Sequence, residues 1–170
     1  MRPRTILAID PGLRELGYAV LAGQRILDAN VVQFRSLPCP RRLAAACSAV
    51  RQLIERHQPT ELVVEQAHSY PAGPHLLLLA LRRLARQLEL PLAVYPPQTV
   101  RKRLLGDGWA GKAEAAAAMC VRYPGLKIHK TQNRRWKERY WHNMFDAVAL
   151  ATHHSLVAQP PSRSRRVRLT

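Results

Sequence analysis

Two short apolar runs in this chain each stop on a carboxylate: TILAID over Thr5–Asp10 and ELVVE over Glu61–Glu65. Runs of this length, the first closed by the turn pair Pro11-Gly12, read as buried strands. A third acid, Asp146, lies in MFDAVALA, an apolar helical stretch. A lone carboxylate in apolar surroundings is costly unless it is paired or binds a metal. The fold must therefore bring each acid to a cation. If the first and fourth strands are neighbours and the last helix packs across them, the three carboxylates converge. A few carboxylates, with the remaining ligand positions left to water and phosphate, suit Mg²⁺ or Mn²⁺. Singly, Asp10 is an ordinary Asp-Pro-Gly turn residue, and Glu65 and Asp146 are partners for any of many arginines. Jointly, the three favour a metal site.

The charge points to the substrate. The chain has 27 Lys+Arg against 11 Asp+Glu, a net charge of +16, in 170 residues. Self-repulsion on that scale destabilises a fold, and its usual use is attraction to a polyanion. Nucleic acid is favoured over a membrane surface or an acidic protein. Hydrophobic residues make up 47% of the chain, enough for a packed core. Cys39, Cys47 and Cys120 have no paired spacing, which argues against a zinc site or a disulfide framework; Cys47 and Cys120 read as small core residues. The apolar run near the amino terminus is too short for a signal peptide, and no stretch approaches a membrane span, so a cytoplasmic protein is expected.

Patterning predicts strands at 5–10, 17–21, 25–34, 61–65 and 92–95, and helices at 41–57, 76–88, 98–105, 112–121 and 141–157. The order gives an α/β fold with a mixed five-stranded sheet flanked by helices. Residues 1–158 are expected to form one domain. Residues 159–170, QPPSRSRRVRLT, are expected to form a disordered basic tail. The chain lacks the length for two subdomains and any second glycine-rich phosphate loop, which disfavours an actin-like ATPase.

The segments ILAIDPGLRELGYAV, LVVEQ and HNMFDAVALATHH resemble the RuvC-type Holliday-junction resolvases, in the same order and over nearly the whole chain. The resemblance implies a ribonuclease-H-like fold and a structure-selective endonuclease of DNA recombination and repair. It implies a homodimer that binds a four-way junction and makes paired incisions with Mg²⁺ or Mn²⁺, two ions per active site. It also implies that Asp10, Glu65 and Asp146 are the catalytic, metal-binding acids. Arg101 and Lys112 match basic positions flanking a Gly-rich loop, suited to phosphate binding and, for Lys112, to transition-state charge. His68 stands where the family often has an aromatic that stacks on a junction base, with Tyr70 nearby. The homodimer also suits a helix carrying Leu76, Leu77, Leu78, Leu79, Leu81, Leu84 and Leu88, more apolar surface than one core contact should need.

Two departures follow. Family members usually carry Asp or His three residues before the last acid, where this chain has Asn143, with His142 one residue further back. At about 100° per residue both flank Asp146 on one helix face, and either could be a fourth ligand. Histidine is the better ligand for Mn²⁺ and is favoured, catalysis included. The stretch LKIHKTQNRRWKERYW is longer and more basic than usual, and its Arg134, Arg135 and Lys137 are candidate DNA contacts. These departures leave open a broad-specificity branched-DNA nuclease of a mobile element, or a junction-binding protein with little catalysis.

Overall fold

The computed structural model describes residues 4–66, 72–130 and 135–158. The chain forms β1 (Thr5–Asp10), β2 (Glu15–Ala22), β3 (Arg25–Gln33), α1 (Cys39–His57), β4 (Glu61–Glu65), α2 (Ala72–Gln87), β5 (Leu92–Tyr95), α3 (Pro97–Leu105) and α4 (Lys112–Arg122). A 3₁₀ turn (Pro124–Leu126), α5 (Lys127–Lys130) and the long α6 (Arg135–Val157) complete it. The five strands make one sheet in the order β3-β2-β1-β4-β5. The first three are antiparallel, while β1–β4 and β4–β5 pair in parallel. This is the expected mixed α/β architecture.

Side chains alternate across a strand, so the two faces read separately. Leu7 and Ile9 of β1, Val20 of β2 and Leu62 and Val64 of β4 pack beneath α1 and α2, whose buried faces carry Ala46, Val50 and Leu53, and Leu77, Leu78, Leu81 and Leu84. Ile6 and Ala8, with Ala19, Leu21 and Val63, face α6 through Met144, Ala147, Val148 and Ala151. Asp10 and Glu65 share the parity of Ala8 and Val63. They belong to the α6 face, at the carboxyl ends of the two central strands.

Several expectations on element bounds are corrected. The last helix begins at Arg135 rather than at 141, and residues 124–130 are a 3₁₀ turn and a short helix. Cys120 is buried, but Cys47 is only half-buried and Cys39 is exposed. On α2, Leu76 and Leu79 remain exposed, as does Leu88 just beyond it. Leu76 and Leu79 line a groove of about 520 Å³ between α1 and α2, together with Leu43 and Cys47. Among the described residues, no helix is long and apolar enough to cross a membrane.

Candidate metal centre

Asp10 is buried at the end of β1, and its register partner on β2 is Gly17. On the other side of β1, Ile9 pairs with Val64, so Glu65 follows directly beside Asp10. Asp146 is buried in α6, which lies across both strands. The last helix reaches this position because β2 offers it Gly17 and Ala19, small residues over which its backbone can settle.

The three carboxylates sense one another. Burial pushes the Asp10 carboxyl well above its usual range, and the charges of Glu65 and Asp146 push it further; Lys112 and Arg101 pull the other way. Burial first, then Asp146, raises Glu65 to about 7, against the same two cations. Asp10 and Glu65 are thus held back from ionising by burial and by neighbouring carboxylate charge, a cost that a bound cation would relieve. Two cations reach it from the α3–α4 region. The Lys112 ammonium lies 2.9 Å from Asp146 Oδ2, and Arg101 Nη2 lies 3.8 Å from Asp146 Oδ1. Burial works against the charge on Lys112, but Asp146, Asp10 and Glu65 together outweigh it and raise its pKa.

Among the described residues, no three His, Cys, Asp or Glu side chains form a ready-made ligand group. Lys112 instead pairs with Asp146. The donor chemistry nevertheless fits a hard divalent cation: three carboxylates, with Asp10 and Asp146 buried and Glu65 half-buried. His142 and Asn143 are half-buried one turn before Asp146 on α6. Of the other expected contacts, His68, Tyr70 and Arg134 lie outside the described residues. Arg135 and Lys137 fall in the first turns of α6, their side chains outside the description.

Two features of the structure go beyond what the sequence pattern marks. Gly17 is a packing site for α6, and the only signal for it was its place in the DPGLRELGY segment. At the opposite end of β4, Glu61 receives both Arg4 nitrogens (Nε, and Nη2 at 3.0 Å) and lies 2.6 Å from His154 Nε2. The other ring nitrogen of His154 is 2.8 Å from the Tyr95 hydroxyl. This network ties the far end of α6 to β4 and β5. On the α3–α4 side of the site, Glu114 accepts a hydrogen bond from the Gly111 amide at 2.7 Å and caps α4.

A sheet of this order with helices on both faces, carrying acids at the ends of its two central strands, defines the ribonuclease-H-like class. The family model described as "Crossover junction endodeoxyribonuclease RuvC" matches residues 6–154. A relative of that description from Maricaulis maris is 34% identical over 132 residues, covering 72% of this chain and 80% of its own. Another from Alkalilimnicola ehrlichii is 35% identical over 118 residues, covering 64% and 72%. Among solved structures, T. thermophilus RuvC in complex with Holliday junction substrate is similar, with a TM-score of 0.71 at 25% identity, over 91% of this chain and 94% of that one. The chain belongs to the RuvC family of crossover junction endodeoxyribonucleases.

Proposed function

We propose that the protein is a structure-selective endonuclease that cleaves Holliday junctions by two-metal phosphodiester hydrolysis, using Mg²⁺ or Mn²⁺. The observation that carries this reading is the placement of Asp10 and Glu65 side by side at the ends of β1 and β4, with the buried Asp146 of α6 beside them and Lys112 2.9 Å from it. Family membership and the T. thermophilus complex with a Holliday junction support the substrate.

Asp10, Glu65 and Asp146 would hold the ions, and His142 is proposed as a further ligand in preference to Asn143. When bound there, such ions would supply Lewis acidity to activate a water and to steady the leaving oxygen. The protein's own groups orient the rest. The burial that raises Asp10 and Glu65 excludes bulk water and strengthens every charge interaction in the site. Lys112 and Arg101 reach Asp146 from α4 and α3, which puts positive charge beside the carboxylates where a scissile phosphate would bind. His68 and Tyr70 are proposed base contacts, and Arg134, Arg135 and Lys137 phosphate contacts. A homodimer would place two such sites on opposing strands, and the exposed Leu76 and Leu79 beside the α1–α2 groove support a protein contact there. Light scattering should show a dimer at micromolar concentration; a clean monomer with and without DNA would count against it.

Labelled four-way, forked and linear DNA, incubated with the protein and Mg²⁺ or Mn²⁺, tests the function. Paired incisions confined to the four-way junction are the expected result. Equal cutting of all branched forms would favour a broad branched-DNA nuclease, and binding without cutting would remove the catalytic reading.

A further inference from the structure

The segment between α3 and α4, GDGWAG, is pinned at both ends. Gly106 closes α3 in the left-handed conformation (φ 80°), its amide donating to the Lys102 carbonyl at 3.0 Å. The Asp107 carboxylate accepts from the Trp109 amide at 2.9 Å. Gly108 packs against the start of α3, where an added Cβ would lie 3.1 Å from the Gln98 carbonyl oxygen. Ala110 is buried, and the Gly111 amide is held by Glu114. A loop restrained in this way cannot easily fold its own side chain back onto the protein. It nevertheless presents an indole that is 84% exposed.

A tryptophan carries one of the largest apolar surfaces of any side chain, so leaving it in water forgoes much of what its burial would contribute. Its surroundings select what would cover it. Arg101, Lys102 and Arg103 lie on α3, and Lys112, three residues further on, touches Asp146. Asp107 is the one acid of the loop, and one of its oxygens is taken by the Trp109 amide. Three residues span at most about 10 Å, which keeps the ring within a few nucleotides of the carboxylate cluster. Beside the ring lies a shallow cavity of about 370 Å³, where Gln98, Thr99 and Lys102 offer amide, hydroxyl and ammonium groups. An apolar protein surface would cover the ring but offer no counter-charge to this basic surround. A polyanion whose bases have flat π-faces satisfies both the ring and the charges.

We infer that Trp109 is a stacking platform for a nucleobase of the bound DNA, close to the phosphate that is cut. This contact rests on the nuclease reading and adds to it a specificity-determining residue on the α3–α4 loop, separate from the candidate base contacts at His68 and Tyr70. The ring holds one base in place while Lys112 and Arg101 meet the neighbouring phosphate.

The test uses four-way junctions carrying the fluorescent base 2-aminopurine at successive positions around the cleavage point, with wild type, Trp109→Ala and Trp109→Phe. Binding is followed without divalent metal, and cleavage with it. Wild type should change the fluorescence at one or two adjacent positions. Trp109→Ala should lose that signal and bind the junction about tenfold or more weakly, with an unaltered melting temperature because the side chain is exposed. Trp109→Phe, which keeps a π-face, should retain the signal and most of the affinity. Wild type that cuts junctions, with Trp109→Ala matching it in signal and affinity, overturns the stacking contact alone. Equal losses in the alanine and phenylalanine variants overturn it as well, because a flat ring would then not be what matters. Wild type that neither binds nor cuts branched DNA overturns the nuclease reading and this contact with it.

Discussion

Gly17 and Asn143 meet backbone to backbone: a Cβ on Gly17 would lie 2.0 Å from the Asn143 carbonyl oxygen and 2.2 Å from its carbon. The contact sits where β2 passes beside Asp10 and α6 passes one turn before Asp146. One missing methyl group thus lets the helix carrying one acid close over the strand carrying another. Because the obstructing atoms are main chain, no rotamer change can make room, and Gly17→Ala must lift α6 from the sheet. Overpacking of this kind costs about 1–3 kcal/mol or more, enough to lower the melting temperature by several degrees. Cleavage should fall at least tenfold even at temperatures where the variant is fully folded, since the acids no longer converge. A thermal melt beside a cleavage assay reads both, and wild-type cutting by Gly17→Ala would mean that the close approach does not position Asp146.

Asp10→Asn and Asp146→Asn separate cutting from holding DNA. Each keeps the side chain's size but removes a charge from the cluster, while the cations that meet phosphate stay in place. Cleavage should drop at least a hundredfold, and junction binding in mobility-shift assays should stay within a few-fold. Cutting retained within about tenfold of wild type would remove that residue from the site.

Much of this site was legible because strand periodicity is strict. Asp10 and Glu65 end apolar runs, and their parity decides which face they share, so a parallel pairing of β1 with β4 was enough to join them. Asp146 was legible as an acid inside an apolar helix. Contacts made by main chain or by distant partners were not. Gly17 acquires its meaning only once α6 is known to cross β2. Glu61 finds His154 at a separation of 93 residues, which no local pattern encodes. The start of α6 was missed because RWKERYW interleaves cations and rings without the apolar stripe that marks a helix, although it holds no Pro or Gly to prevent one.

Junction binding should be steeply dependent on salt. About six phosphate contacts imply a log–log slope near −5, from roughly 0.9 per contact. Neutralising Arg134, Arg135 and Lys137 together should flatten that slope by about two to three units. An unchanged slope, measured from about 50 to 200 mM salt, would mean that this basic stretch does not touch DNA.

His142 and Asn143 can be ranked by paired alanine variants. The imidazole is the more basic donor, and both side chains leave α6 on the flank that carries Asp146. His142→Ala should reduce cleavage about a hundredfold, and Asn143→Ala much less. Titration of each variant with Mn²⁺ and Mg²⁺ adds a second readout, since a lost nitrogen ligand should weaken Mn²⁺ dependence more than Mg²⁺ dependence. The opposite ranking of the two variants would transfer the ligand role to Asn143.

Glu61 should make the fold sensitive to acid. Its hydrogen bond from Arg4 holds the carboxyl at about 2 against an ordinary value of 4.5; burial opposes this, and His154 adds to the lowering. Tyr95 completes the surroundings through its bond to His154. A carboxyl whose pKa is lower in the folded state than in the unfolded chain releases its proton more readily when folded. Its stabilising effect is therefore fully present above the unfolded value of 4.5, and it fades as pH falls toward 2. Glu61→Gln cannot ionise, so it should melt below wild type at neutral pH, and the gap between the two should close steadily as the pH drops below about 4.5. Every other acid titrates in both proteins, so the difference between the two melting curves isolates this one group. A gap that stays constant down to about pH 2.5 would show that Glu61 holds the end of α6 by shape and hydrogen bonding without its charge.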